Sequence, residues 1–383
     1  MSEALTAQAH NEAMGDYVAQ GVAHASRLGN RGPIRYGDDG KIHQDILAAY
    51  WREGFYVFEG LVGSDEINLL RADYDEILKR APIDNDASVD AQGRPAIGND
   101  LARRPFSMIT PLSDPWGGTE LLGGRHPTQM AQPKPGADAP HKVPFLIGSM
   151  CNLSEAALRL YGHPDVLSIA EGINGPDFVP FNDAVFVKQP GLGGSVSWHQ
   201  DGVTHWDNPD WDEGIHGFNF QVQLYECTPF NCLWVMPGTH KEGRADIKRR
   251  VADNGGSERL PGAVPLVCKP GDVTIANRQV LHGSFANTSP NQRISVTFGF
   301  HRRASVLGAK GALSQDGAVV YDAERIDQRS SVIQLAIDAR SHFYPDQARY
   351  AYQPFIDRQE AYRYTPQVAA KVLKDYTLKD LAI

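Results

Sequence analysis

From Ile42 onward, the alternation of apolar and polar positions sorts the chain into two kinds of element. The stretch I-H-Q-D-I-L-A-A-Y-W-R-E-G sets Ile46, Leu47, Tyr50 and Trp51 on one helical face and predicts a stop at Gly54. F-Y-V-F-E-G, over 55–60, then reads as a strand. Ser64 is placed to cap a second helix running through Arg80, with Asp65 and Glu66 in its first turn, where the helix dipole favours acids. Residues 81–144 are rich in Pro, Gly and Asp and read as a long irregular excursion, of the kind that forms substrate-side loops. Two short helices are expected next, 153–161 and 164–172, with Pro164 at a first helical position.

Beyond residue 178 the period changes from helical to alternating. Short segments at 185–189, 195–201, 218–225, 233–236, 271–277 and 293–300 are separated by turn residues, the spacing expected of a β-sandwich or barrel. The segment 218–225 is the clearest. Phe218, Phe220, Val222 and Leu224 share one face, suited to packing against an outer layer; Asn219, Gln221, Gln223 and Tyr225 share the other, which can line a cavity. Helical periodicity returns at 323–343 and 366–381, in segments that carry no recognisable chemistry. The fold class expected is therefore mainly β with helical additions. Its parts are an N-terminal arm over 1–40, read as a flexible tail or a covering arm, with a weak helix at 11–27; a β-rich domain over 41–310; and a helical extension over 311–383, packed on the core or at a subunit contact.

Composition narrows the function. With 42% hydrophobic residues in 383, the chain can bury a large core. A net charge of −9 without a basic stripe argues against nucleic acid as a partner. No apolar run approaches the roughly 20 residues of a membrane span. Cys151, Cys227, Cys232 and Cys268 have no metal-binding or disulfide-framework spacing, and the N-terminus has no signal pattern, so a reduced, cytoplasmic protein is expected, monomer or homodimer.

The chemistry concentrates in S-V-S-W-H-Q-D, residues 195–201. In an extended strand His199 and Asp201 lie on one face, and Trp198 and Gln200 on the other. An imidazole and a carboxylate one pleat apart can bind one metal ion, and His282 in N-R-Q-V-L-H-G can supply a third ligand. Two histidines and one carboxylate leave other positions open, the arrangement of oxygen-activating non-haem Fe(II) sites. An isolated H-x-D is more often a surface histidine beside a turn, so context decides. Eleven residues beyond His282, Arg293 opens a strand with Ser295 on the same face. A guanidinium grips a carboxylate through two parallel hydrogen bonds and a hydroxyl adds a third; the plain alternative for Arg293 is a surface salt bridge.

Six separated motifs carry a family resemblance: F-V-K-Q-P-G (186–191), S-W-H-Q-D-G (197–202), C-L-W-V-M-P-G-T-H-K-E-G (232–243), G-D-V (271–273), L-H-G-S (281–284) and R-I-S (293–295). In this order they resemble the phytanoyl-CoA dioxygenase family, Fe(II)- and 2-oxoglutarate-dependent oxygenases on a double-stranded β-helix, a jelly-roll or cupin-like fold. The resemblance implies that His199, Asp201 and His282 hold iron, that Arg293 anchors 2-oxoglutarate, and that O2 is consumed with release of succinate and CO2. It also makes Ser284, Ser295, Lys188 and Gln221 candidate co-substrate contacts; a solvated strand-face lysine is the alternative for Lys188. Two departures stand out. The family's Asn-Gly before the Cys-Leu strand is here Phe230-Asn231-Cys232, and Gln221 lies near a position where some members place a tryptophan. Because the carboxylate is kept, hydroxylation is expected over halogenation.

For the substrate, Trp206, Trp211 and Gln223 are the expected contacts. The loop acids Asp207, Asp210, Asp212 and Glu213 would favour an apolar body with a positive group, unless they are simply solvated. The only basic run, Arg244, Lys248, Arg249 and Arg250, reads equally as a solvated helix face, so no phosphate-binding groove for an acyl-CoA is expected beside the metal. The expectation is a small-molecule metabolite or natural-product intermediate, with an acyl-CoA, a non-catalytic ligand-binding barrel and a zinc hydrolase as alternatives.

Overall fold

The computed structural model describes residues 5–201, 217–309 and 320–378. Its strands are β1 (Arg31–Gly32), β2 (Phe55–Phe58), β3 (Phe106–Ile109), β4 (Val143–Ile147), β5 (Phe178–Lys188), β6 (Val196–His199), β7 (Phe218–Gln223), β8 (Trp234–Val235), β9 (Val264–Pro265), β10 (Val273–Asn277), β11 (His282–Ser284) and β12 (Arg293–Arg302). They form two sheets. The major sheet has the order β1-β2-β10-β7-β12-β5-β4-β3 and the minor sheet the order β6-β11-β8-β9. All pairings are antiparallel except β1 with β2. Side chains from both sheets line one cavity between them. This is a two-sheet sandwich with added helices, as the segment spacing predicted, in the jelly-roll form that the family resemblance implied.

The alternation read in 218–225 sets the layers. Phe218, Phe220 and Val222 on β7, with Val296, Phe298 and Phe300 on β12, join the main core beneath helices that include Gln44–Glu53, Ser64–Lys79, Pro164–Asn174 and Ala323–Phe343. The opposite face of β7 turns Asn219 and Gln221 toward the cavity. A second core lies behind the minor sheet, where Trp198, Trp234 and Phe285 pack with Met14 of the helix Ala7–Leu28. Gly21 of that helix sits so close to Trp234 that a Cβ there would approach the indole to 2.6 Å. Residues 7–28 are thus a docked helix whose His10, Met14 and Gly21 are buried.

Several boundaries differ from expectation for local reasons. The helix cap is Gly63; Ser64 is the first helical residue, and no side chain caps that end. Ser154 takes a β conformation and caps Glu155–Tyr161 through Ala157 N, splitting the single helix expected at 153–161. The excursion over 81–144 contains β3 and the start of β4, which extend the major sheet beyond β5. Gly54 closes its helix with φ +83, and a Cβ there would strike the His240 ring at 2.5 Å. His240 is accordingly a buried turn residue bonded to Trp51 O. All four cysteines are buried and free. No helix among the described residues is long and apolar enough to cross a membrane.

Candidate metal centre

Strands β6 and β11 pair with His199 opposite His282. This register brings two rings 83 residues apart in sequence (282 − 199) to a centroid separation of 4.1 Å. The strands approach closely because residue 283 is glycine: a Cβ there would meet Val196 O at 3.0 Å and Trp198 N at 3.2 Å. Asp201 lies just past the end of β6, fixed by its N–H to Arg278 O at 2.8 Å. Its Oδ1 is 3.6 Å from His199 Nε2 and its Oδ2 is 3.8 Å from His282 Nε2. One ligand atom from each of the three residues lies within 4.8 Å of the others, all buried. As the strand period predicts, Trp198 and Gln200 point elsewhere. Trp198 donates to Glu258 O, and Gln200 ties Gly243 O and Gln279 O together.

The protonation states suit a cation. Nδ1 of His199 is 2.9 Å from Ser197 O, and Nδ1 of His282 is 2.8 Å from Val280 O. Each backbone carbonyl claims the Nδ1 proton, so each Nε2 is a lone-pair donor aimed at the shared site. Burial lowers the pKa of both rings and keeps them neutral. Burial opposes ionisation of Asp201, but the Arg278 and Arg125 guanidiniums outweigh it and bring its pKa to about 2. Two neutral imidazoles and one ionised carboxylate on one face of a ferrous ion are a donor set that fits it, with open positions for other ligands.

Around this set stand residues that the sequence did not single out. Asn219 donates to Asp201 Oδ2 at 2.9 Å. Arg125 Nη1 lies 3.0 Å from Oδ1, and Arg278 Nη1 3.5 Å from Oδ2. His126 stacks on His199 with ring centroids 4.1 Å apart; burial drives its pKa down to about 3, so it is neutral too. None of these lies at a motif spacing from the histidines, and only the alternation of β7 pointed toward Asn219.

The cavity has a volume of about 400 Å³, within the roughly 300–1,000 Å³ usual for small-molecule sites. Its lining includes His199, Asp201 and His282, together with Arg293, Gln221 and Ser284. Arg293 is buried, donating from Nη2 to Gln221 Oε1 at 2.8 Å and from Nη1 to Asn231 O at 3.2 Å, while its Nε has no hydrogen-bond partner. This replaces the surface salt bridge considered for it. Ser295 Oγ, on the same strand face, is also buried without a partner. Lys188 sits opposite Arg293 on β5 but directs its Nζ to Phe285 O at 2.5 Å, and it is not part of the cavity lining. It is fully buried, which replaces the solvated reading; burial and then the nearby Arg293 depress its pKa. Gln223 is turned to Cys227, whose thiol donates to its Oε1 at 3.0 Å. Trp206 and Trp211, with the loop acids, lie outside the described residues.

One expectation is corrected here. Basic residues do gather beside the site: Arg103, Arg104, Arg125, Arg278 and Arg293 all line the cavity. They come from four separate segments, so no run of charge marks them in the sequence.

A family model described as Phytanoyl-CoA dioxygenase (PhyH) matches residues 50–295. The chain belongs to the phytanoyl-CoA dioxygenase family. The matched region takes in every strand of the minor sheet and all three metal-site residues. This is a family of iron- and 2-oxoglutarate-dependent dioxygenases, as the motif resemblance implied. Phytanoyl-CoA dioxygenase 1 of Oryza sativa is 34% identical over 117 residues, which cover 29% of this chain and 40% of the rice protein. Phytanoyl-CoA dioxygenase of Arabidopsis thaliana is 24% identical over 266 residues, 67% of this chain and 88% of that protein. The dioxygenase lolE1 of Epichloe uncinata is 30% identical over 140 residues, 35% of this chain and 50% of that protein. The chain thus spans half or less of the rice and Epichloe relatives it matches. Among solved structures, EctD from S. alaskensis, determined with 2-oxoglutarate and 5-hydroxyectoine, aligns with TM-score 0.50 at 18% identity, covering 75% of this chain and 85% of EctD. That likeness shows the shared fold.

Proposed function

We propose that this member of the family is an Fe(II)- and 2-oxoglutarate-dependent dioxygenase that hydroxylates an unactivated C–H bond of a small molecule, with release of succinate and CO2. The observation that supports it most is one cavity holding both the His199–Asp201–His282 cluster and the buried guanidinium of Arg293. A hydrolytic metal site has no use for a buried arginine of this kind. A site that must hold the far carboxylate of a co-substrate does.

Each residue then has a definable task. His199, Asp201 and His282 hold the metal, and the carbonyls of Ser197 and Val280 fix their imidazoles in the metal-binding tautomer. Iron supplies open coordination positions and the redox capacity to couple O2 reduction to oxidation of 2-oxoglutarate and substrate. Arg293 and Ser295 receive the distal carboxylate of 2-oxoglutarate, and Gln221 holds the guanidinium in place through Oε1. The apolar walls, Trp116, Phe106, Phe186 and Leu146, exclude water and orient the substrate body.

Succinate release tests this reading. The purified protein with Fe(II), ascorbate and 2-oxoglutarate should produce succinate slowly alone and faster with a matching compound from a metabolite library. His199→Ala should produce none. Equal succinate from wild type and His199→Ala would exclude the reading.

A further inference from the structure

Two arginines of the cavity wall are held by neighbouring amides of one strand. On β7, Asn219 Oδ1 accepts from Arg278 Nη1 at 2.9 Å, and Gln221 Oε1 accepts from Arg293 Nη2 at 2.8 Å. The amides are two residues apart on the same face, about 7 Å along the strand. Arg293 is taken up by the co-substrate in the proposed function. Arg278 has no such assignment. It is 2% exposed, its guanidinium lies 4.3 Å over the ring of Phe181, and its Nε and Nη2 have no hydrogen-bond partner.

Nε and Nη2 form one edge of the guanidinium, the pair of parallel donors that matches the two oxygens of a carboxylate. A buried cation with this edge unsatisfied is costly to the fold, which is how a ligand site differs from a structural ion pair. Asp201 does not meet the need. It approaches Nη1 at 3.5 Å, makes no hydrogen bond to Nε or Nη2, and is shared with Arg125 and with the metal it would bind. The other carboxylate of the lining, Asp183, accepts from Tyr376 OH at 2.6 Å. Among the described lining residues, five arginines thus stand against two carboxylates that are already engaged.

We propose that Arg278 is a substrate-recognition residue, and that the molecule oxidised carries a carboxylate gripped by its Nε–Nη2 edge, with the apolar body lying along Trp116 and Phe186. This rests on the 2-oxoglutarate-dependent reading above and names the substrate class of that same site. It reverses the expectation, drawn from the loop acids, of a positively charged substrate. Arg278 also anchors Asp201 through its carbonyl, so the guanidinium edge is held in register with the metal ligands.

The test uses the holo protein under anaerobic conditions, loaded with Fe(II) and saturating 2-oxoglutarate, so that Arg293 is occupied. Acetate, benzoate and octanoate are each titrated against their neutral partners acetamide, benzamide and octanamide. Binding is read from perturbation of the visible band of the iron–2-oxoglutarate complex and from the thermal midpoint. At least one acid should bind tenfold or more tightly than its amide, and the preference should fall below twofold in Arg278→Met while Arg278→Lys keeps part of it. Acids and amides binding alike in every pair would overturn the proposal. So would an acid preference that persists in Arg278→Met, which places the anion on the metal or on another arginine of the cavity. If the methionine variant does not fold, a preference in Arg278→Lys equal to wild type overturns it as well. Loss of the visible band in wild type would instead refute the dioxygenase reading, so the two failures are distinguishable.

Discussion

The two walls of the cavity are made from different kinds of sequence. The minor-sheet wall supplies the proposed metal ligands, His199 on β6 and Asp201 two residues further along the chain, with His282 directly opposite His199 on β11. The major-sheet wall supplies the arginines proposed to bind anions, and these converge from β12, from the residue following β10 and from the segments before β4. Metal ligation is satisfied by one short motif and one register pairing. Anion recognition needs whole cations brought into an apolar scaffold, and the two buried ones, Arg278 and Arg293, are each held by an amide of β7, Asn219 or Gln221. The metal wall can therefore be lost through a single ligand, while the anion wall should lose function piece by piece.

The largest effect expected is on the metal wall. His199→Ala should reduce metal affinity by more than the roughly 10- to 100-fold that loss of an outer-shell partner causes, as read by titration against a chelator. Unfolding by urea should change much less. If metal affinity survives within tenfold, the two walls do not differ as described. On the far side of β7, Phe220→Ala should cost about 3–5 kcal/mol of folding stability, because Phe220 is fully buried between Phe218 and Phe298. Metal affinity of the folded protein should be unchanged; a loss would show that the two faces of β7 are not independent.

Arg293→Met separates the walls more finely. It should raise the 2-oxoglutarate concentration needed for half-saturation by roughly 10- to 150-fold, the worth of about 1.5–3 kcal/mol for hydrogen bonds to a charged group. Metal affinity measured without 2-oxoglutarate should stay within twofold. The smallest effect is expected where the walls touch. Asn219 donates to Asp201 and accepts from Arg278, so Asn219→Ala should weaken metal binding by about 10-fold without altering the 2-oxoglutarate requirement. An unaltered metal affinity would mean that Arg125 and Arg278 alone keep Asp201 in place.

The same contrast explains what was legible in the sequence. His199 and Asp201 were readable because strand alternation is a local rule, and His282 because a single further ligand was required. Arg293 and Ser295 followed from the same rule on β12. Arg278 and Arg125 were not readable, because what brings them to Asp201 is tertiary: a backbone bond from Asp201 N to Arg278 O, and a loop folded across the cavity. Strands β3 and β4 were hidden for a related reason. Within a Pro- and Gly-rich segment, their four or five residues gain strand character only from tertiary pairing, β4 onto β5 and β3 onto β4. At the other end of the chain, Tyr376 and Thr377 lie just past the last described helix, yet Tyr376 bonds Asp183 and Thr377 reaches the cavity wall. The helical periodicity read over 366–381 gave no sign of such contacts, and the helix itself ends at Leu373. Helix Ala323–Phe343 was found at its expected bounds, since its length alone gave enough turns to define it.

Anaerobic titration of the Fe(II)-loaded protein with 2-oxoglutarate bears most directly on the claim that one cavity holds both groups. The wild-type protein should develop a weak visible charge-transfer absorption that saturates at one equivalent of co-substrate per chain. His199→Ala should show none at any concentration, and Arg293→Met should require more co-substrate to reach the same absorption. No absorption in the wild type, or an undiminished one in His199→Ala, would contradict the account.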